Sequence, residues 1–200
     1  MLKFFRLALL LASAAGSAPA WTASSGLIIS EDSLQLDYLT DINDTVMHNS
    51  RQHIRLMVAR EQDPRNVLLM ADAELLDYQQ TVFDSRRLSP KLGLLYGDAH
   101  DNSFFALVGG AIIQQPPDEE RRYGWISELF LAPHVASHRS GSNDWEMDFE
   151  WTWGLRLQVD YRLPDGARLN LGFRKIEVDL DGRAPSSFDT GLFLGLTKTF

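Results

Sequence analysis

The sequence contains no cysteine, which excludes disulfide staples, thiolate metal centres, thiol nucleophiles and a lipid anchor carried on a cysteine. Positive charge is scarce: 19 Lys and Arg stand against 27 Asp and Glu, a formal net charge of -8. That balance argues against a nucleic-acid partner, whose phosphates need clustered cations. Glycine (14) and proline (8) stay at ordinary levels in 200 residues, so the chain is neither collagen-like nor low-complexity, and a 44% hydrophobic share is too high for disorder. No phosphate-binding glycine loop or nucleotide motif occurs. No apolar run reaches the roughly 20 residues of a membrane-spanning helix, and beyond residue 20 no helical period stands out.

What is present begins with a processing signal. Lys3 and Arg6 flank Phe4 and Phe5, an apolar run follows from Leu7 to Ala12, and Ala18-Pro19-Ala20 forms an Ala-x-Ala pattern. Residues 1–20 are thus expected to be a secretory signal peptide cleaved before Trp21. Cleavage takes Lys3 and Arg6 from the 19 basic residues and none of the 27 acidic ones, so 17 basic residues remain and the exported chain carries about -10.

The dominant pattern after that is alternation with period 2, the signature of half-buried strands. Every odd position from Trp145 to Leu163 is apolar, including Trp151, Trp153, Leu155, Leu157, Val159 and Tyr161, and every even position is polar or glycine. Strands of soluble proteins average about five to six residues, and this segment is far longer. Pro164-Asp165-Gly166 turns it into a partner over 167–180, where Leu169, Leu171 and Phe173 alternate with Arg168, Asn170, Gly172 and Arg174. The phase then passes to Ile176, Val178 and Leu180, as a bulge near Arg174 or a two-sided environment would produce. The last strand aligns Phe188, Leu192, Leu194, Leu196 and Phe200. Further strands fall near 123–134, 103–115, 87–97, 66–78 and 51–60, which makes eight over residues 51–200. Residues 21–50, where Leu34, Leu36 and Tyr38 alternate, are open: a further strand, a leader beneath the sheet, or two strands that raise the count to ten.

Alternation alone does not say which face is wet. In the long strand, Trp151 and Trp153 lie at one end of an aliphatic band and Tyr161 at the other. At about 3.3 Å per residue and a tilt near 40° they bracket about 25 Å, the height of the apolar belt on a membrane barrel, with amphipathic rings at both boundaries. The opposite face carries Arg156, Arg162, Arg168 and Arg174 with Glu146, Asp148, Glu150 and Asp160, and other strands add Asp72, Glu74 and Glu128. Inside a small barrel these charges form a mutual network; on a soluble one they are solvated. The terminal Phe200, in phase with Leu192, Leu194 and Leu196, resembles the carboxy-terminal signal that the barrel-assembly machinery reads, with Lys198 departing from it.

The expected fold is therefore all-β: a single antiparallel transmembrane β-barrel of eight strands, ten if residues 21–50 join it. Phe105-Ala106-Leu107-Val108-Gly109-Gly110, Glu128-Leu129-Phe130-Leu131-Ala132-Pro133, Trp153-Gly154-Leu155-Arg156 and Leu171-Gly172-Phe173-Arg174-Lys175-Ile176-Glu177-Val178-Asp179 occur in an order and spacing that resembles the YfaZ family of small outer-membrane proteins, over roughly residues 66 to 200. The resemblance implies an outer-membrane location and a barrel, and transfers no catalytic residue.

Sites for chemistry are few. His134 and His138 have i, i+4 spacing, but at a strand end and in a loop that spacing does not bring ligands to one face. His138-Arg139-Ser140 resembles the His-x-Ser of lipid A deacylases, with Gly141 where Asn follows there and Asn143 further on; a polar surface loop is the favoured reading. Asp179, Asp181 and Gly182 lack the spacing and terminal Glu of a calcium loop and are read as turn residues. No catalytic, cofactor or metal residue is assigned. The expectation is a non-enzymatic outer-membrane protein of a Gram-negative bacterium, structural or envelope-related, with outer-membrane lipids and the assembly machinery as its partners and no cofactor. The alternatives are a lipid A deacylase and a soluble periplasmic lipocalin-like carrier.

Overall fold

The computed structural model describes residues 23–44, 48–59, 66–82, 86–99, 102–117, 120–139, 150–179 and 186–200. The expected signal peptide, residues 1–20, lies outside them. Eleven strands follow one another: β1 (Ala23–Ser30), β2 (Ser33–Asp44), β3 (His48–Ala59), β4 (Val67–Leu75), β5 (Gln80–Val82), β6 (Arg86–Ala99), β7 (Asn102–Gln115), β8 (Tyr123–Arg139), β9 (Trp151–Arg162), β10 (Arg168–Val178) and β11 (Ser186–Thr199). All pairings are antiparallel. β1 pairs with β11, and β4 pairs with β6, so the sheet closes on itself. After a 3-10 turn at Leu76–Tyr78, β5 takes up the ladder of β6 where β4 leaves it, Glu74 lying opposite Lys91 and Gln80 opposite Leu88. It prolongs β4, and the wall is a closed antiparallel barrel of ten strands. Residues 21–50 supply β1 and β2, giving the higher of the two counts open in the sequence.

The alternation sets the orientation of this wall. Odd residues of β9 point outward and even ones inward: Trp151, Leu157 and Val159 are exposed, whereas Thr152, Gln158 and Asp160 are buried. The same division runs around the barrel. Leu192 of β11 is 71% exposed and Leu94 of β6 60%, while Lys91 is 1% and Glu74 0% exposed. Leucines predominate on the outside of the wall, and charges gather within. Tyr123 and Tyr161 (ring centroids 5.0 Å apart) with Trp125 mark one edge of the outer belt. Tyr96 and Phe105 (5.1 Å) with Trp151 and Trp153 mark the other.

Three inward phenylalanines stand directly across the ladder from inward glycines: Phe104 from Gly97, Phe130 from Gly154 and Phe193 from Gly172. A Cβ on any of these glycines would run into the ring opposite. The missing side chains thus make the room that lets large rings lie flat against the inner wall. Two glycine motifs that carry the family resemblance, around Gly154 and Gly172, are two of these sockets.

Two stretches depart from the simple pattern. Ile176 and Val178 keep the inward phase of Arg174, in unbroken register with β9; the irregularity lies on the other edge, toward β11, between Ile176 and Glu177. Phe188 is buried, not aligned with the outward Leu192, Leu194 and Leu196, because that irregularity precedes them. The 145–149 part of the expected long strand lies outside the described residues. Lys198 has a local role: its ammonium donates to the Asp165 carboxylate at 3.1 Å and to the Asp165 carbonyl at 3.0 Å, tying β11 to the β9–β10 turn. With the Ala167 amide, it holds the Asp165 carboxyl below its ordinary range.

Candidate functional site: the barrel interior

The interior is layered along the barrel. Toward the end that holds the β3–β4, β6–β7, β8–β9 and β10–β11 connections, Met57, Met70, Leu95, Phe104, Phe130 and Ile176 belong to one continuous apolar cluster with Ala59, Leu68 and Phe188. Inward positions are apolar here, which is why Ile176 and Val178 look out of phase in the sequence. His134 of β8 is buried in this layer, stacked on Phe104 at 4.1 Å. Its Nδ1 meets Glu150 Oε2 at 3.1 Å and its Nε2 meets Thr152 Oγ1 at 2.9 Å. Hydroxyl, imidazole and carboxylate follow the order of a nucleophilic relay, but Thr152 is fully buried. The three groups satisfy one another inside the apolar layer, as buried polar atoms must.

Beneath it lies a charged layer. Arg55 Nη1 donates to Glu128 Oε1 at 2.7 Å, and the Lys91 ammonium donates to the same oxygen. Lys91 also stands 3.1 Å from Asp72, and Arg55 3.7 Å from it. Two cations and two carboxylates from β3, β4, β6 and β8 therefore neutralise one another, with Lys91 5.7 Å from the Phe130 ring. On the facing wall Arg174 Nε donates to Asp189 at 2.7 Å and Nη2 to Ser33 Oγ at 2.9 Å, and Nη1 donates to Gln35. Asp189 accepts further bonds from Ser33 (2.7 Å) and Ser30 (3.1 Å), which joins β10, β11, β1 and β2. The Phe193 ring has Arg156 at 5.4 Å and Arg174 at 5.5 Å, a favourable placement for guanidinium groups.

The third layer, at the end with both chain ends and the β9–β10 turn, is a cavity of about 230 Å³. Its lining runs from Ala23, Thr199 and Pro116 down to Arg55, Glu128 and Arg156. Arg51 bonds Asp41 at 2.6 Å and lies 3.6 Å from Glu74, and Glu74 accepts from Gln114 at 2.6 Å. Arg156 Nε donates to Gln158 at 2.8 Å, with Asp37 3.9 Å away.

The charges read as interior from the sequence gather as expected: Asp72, Glu74, Glu128, Asp160 and Arg174 are buried, and Arg156 and Arg168 line the cavity. Glu150 is inside as well, while Glu146 and Asp148 lie outside the described residues. The sequence reading missed Arg55, Lys91 and Asp189. Arg55 between Ile54 and Leu56, and Lys91 in phase with Ser89, carried an alternation signal; Asp189 was masked by the nearby irregularity. His134 lies within β8, with both ring nitrogens engaged. The side chain of His138, together with Ser140, Gly141, Asn143, Asp181 and Gly182, falls outside the described residues. Comparison with family models and with curated proteins returns no match.

Proposed function

We propose that this chain is an integral outer-membrane β-barrel protein of a Gram-negative bacterium with a structural or envelope role, of the kind the YfaZ resemblance implies, and not an enzyme. The observation that carries the reading is the inverted polarity of the wall: outward leucines between two aromatic rims, inward charges paired with one another. Water penalises such a surface, and lipid favours it. Closure of the sheet supports the same reading, because every backbone amide in hydrocarbon must find a partner within the protein. A lipocalin-like carrier has the opposite polarity, with its apolar face around the ligand. Its partners under this proposal are outer-membrane lipids and the barrel-assembly machinery.

Cell fractionation, followed by electrophoresis with and without boiling, tests it. The expected result is recovery with outer membranes and a faster-migrating unboiled form. Recovery in the soluble periplasm with no heat-dependent mobility would overturn the proposal.

A further inference from the structure

The four inward pairs nearest the turn of the β9–β10 hairpin include two of arginine against arginine. Arg156 stands opposite Arg174, and Arg162 opposite Arg168, with Asp160 opposite Asn170 and Gln158 opposite Gly172 between them. Like charges directly opposite on a ladder repel unless something neutralises them. For the deeper pair the protein supplies it: Asp189 binds Arg174, Asp37 lies near Arg156, and the Phe193 ring sits beside both. For the outer pair it supplies only the charge of Asp160, which acts on Arg168 without forming an ion pair. Among the described residues neither Arg162 nor Arg168 has a carboxylate within ion-pair distance, and neither has Arg87, which lines the same cavity from β6.

Most of the cavity's carboxylates are committed to other cations: Asp41 holds Arg51, Glu128 holds Arg55 and Lys91, and Asp37 lies near Arg156, while Asp160 accepts from the neutral Gln158 amide. Strands β6 and β10 lie on facing sides of the barrel, so Arg87 and Arg168 approach the space from opposite walls. That space, about 230 Å³, is several times the roughly 30 Å³ share of one water.

We propose that this cavity is a binding site for a small oxyanionic solute, bearing a carboxylate or phosphate, held between Arg168 on one wall and Arg87 on the other. The planar guanidinium fork matches such a group two bonds at a time. The mouth is at the end holding both chain termini, and the apolar layer closes the far side, so the solute enters and leaves by one face. The inference depends on the barrel interior and not on membrane placement, so the two proposals fail independently.

The test uses the full mature chain refolded in zwitterionic detergent, titrated calorimetrically with inorganic phosphate and with succinate. Saturable binding of at least one is expected, weakened tenfold or more in Arg168→Gln and in Arg87→Gln. Arg168→Lys, which keeps the charge and loses the fork, is expected between wild type and Arg168→Gln. Lys198→Gln, which removes a cation at the same end but outside the cavity, is expected to bind as wild type does. No saturable binding of either anion, or wild-type affinity in Arg168→Gln, overturns the site, as does equal weakening by Lys198→Gln. Binding of short-chain phosphatidylglycerol with none of the free anions makes the ligand a lipid headgroup and overturns the solute. If Arg168→Gln or Arg87→Gln loses its heat-dependent gel mobility, the other, on the opposite wall, is judged by the same criteria.

Discussion

Lys91 is the residue on which the charged layer turns. Its ammonium is buried between Asp72 and Glu128, and Arg55 completes the group. Replacing Lys91 by Met leaves two carboxylates facing one guanidinium in the buried interior. Uncompensated buried charge of this kind costs about 3–5 kcal/mol. Removing a carboxylate in the same molecule restores the balance, since Arg55 and Asp72 then remain as an equal pair. Lys91→Met with Glu128→Gln is therefore expected to be more stable than Lys91→Met alone, measured as the urea midpoint of the refolded protein. A single variant no less stable than the double would show that these groups are not a neutralising set. The glycine sockets give a second residue-scale expectation. Gly172→Ala puts a methyl group against the Leu157 carbonyl of β9 and the Phe193 ring, and overpacking of this sort costs about 1–3 kcal/mol; the midpoint should fall with the denaturant slope unchanged.

At the scale of the strand, what decides legibility is whether the two faces differ in polarity, and in which sense. Along β9 they differ at every described step, and the phase from Trp151 to Tyr161 could be read directly from the sequence. At the far end of β10 they differ in the opposite sense: Ile176 and Val178 face an apolar interior, while outward Lys175 and Glu177 pair with each other at 2.8 Å and Glu177 accepts from the Trp153 indole at 2.9 Å. Period 2 persists there, but its usual meaning is reversed. The interior charges on β9 and β10 were legible because they lie opposite a clean apolar face, whereas Asp189 follows a ladder irregularity that moves Phe188 inward. The outward face of β11 offers a test of its surroundings. Leu194 is 54% exposed in the middle of the band. Leu194→Arg is expected to lower stability by about 2–4 kcal/mol in lipid vesicles, the cost of a cation at mid-depth on a barrel's lipid face. On a water-facing surface the same exchange would be close to neutral, so an unchanged unfolding midpoint in vesicles would count against lipid around this strand.

For the whole molecule, ten strands in place of eight change what keeps the interior shut. An eight-stranded barrel is filled by its side chains almost by geometry, whereas a wider one must be closed deliberately. The cavity of about 230 Å³ at one end shows the extra width; at the other, the apolar cluster draws side chains from seven strands across the section. Water and ions entering from the cavity meet the paired charges first and then a layer of rings and methyl groups, in which His134, Glu150 and Thr152 are bonded to one another. The purified protein in planar bilayers is accordingly expected to show no stable ohmic conductance steps, and such steps in the wild type would overturn the closed interior. Phe104 and Phe130 are the side chains to remove next, because each lies across from a glycine and truncation leaves nothing opposite to fill the gap. Phe104→Ala with Phe130→Ala, provided that the unboiled form still migrates as folded, is expected to conduct where the wild type does not. A folded double variant that stays silent would move the barrier from the apolar layer to the charged layer built on Arg55, Lys91, Asp72 and Glu128.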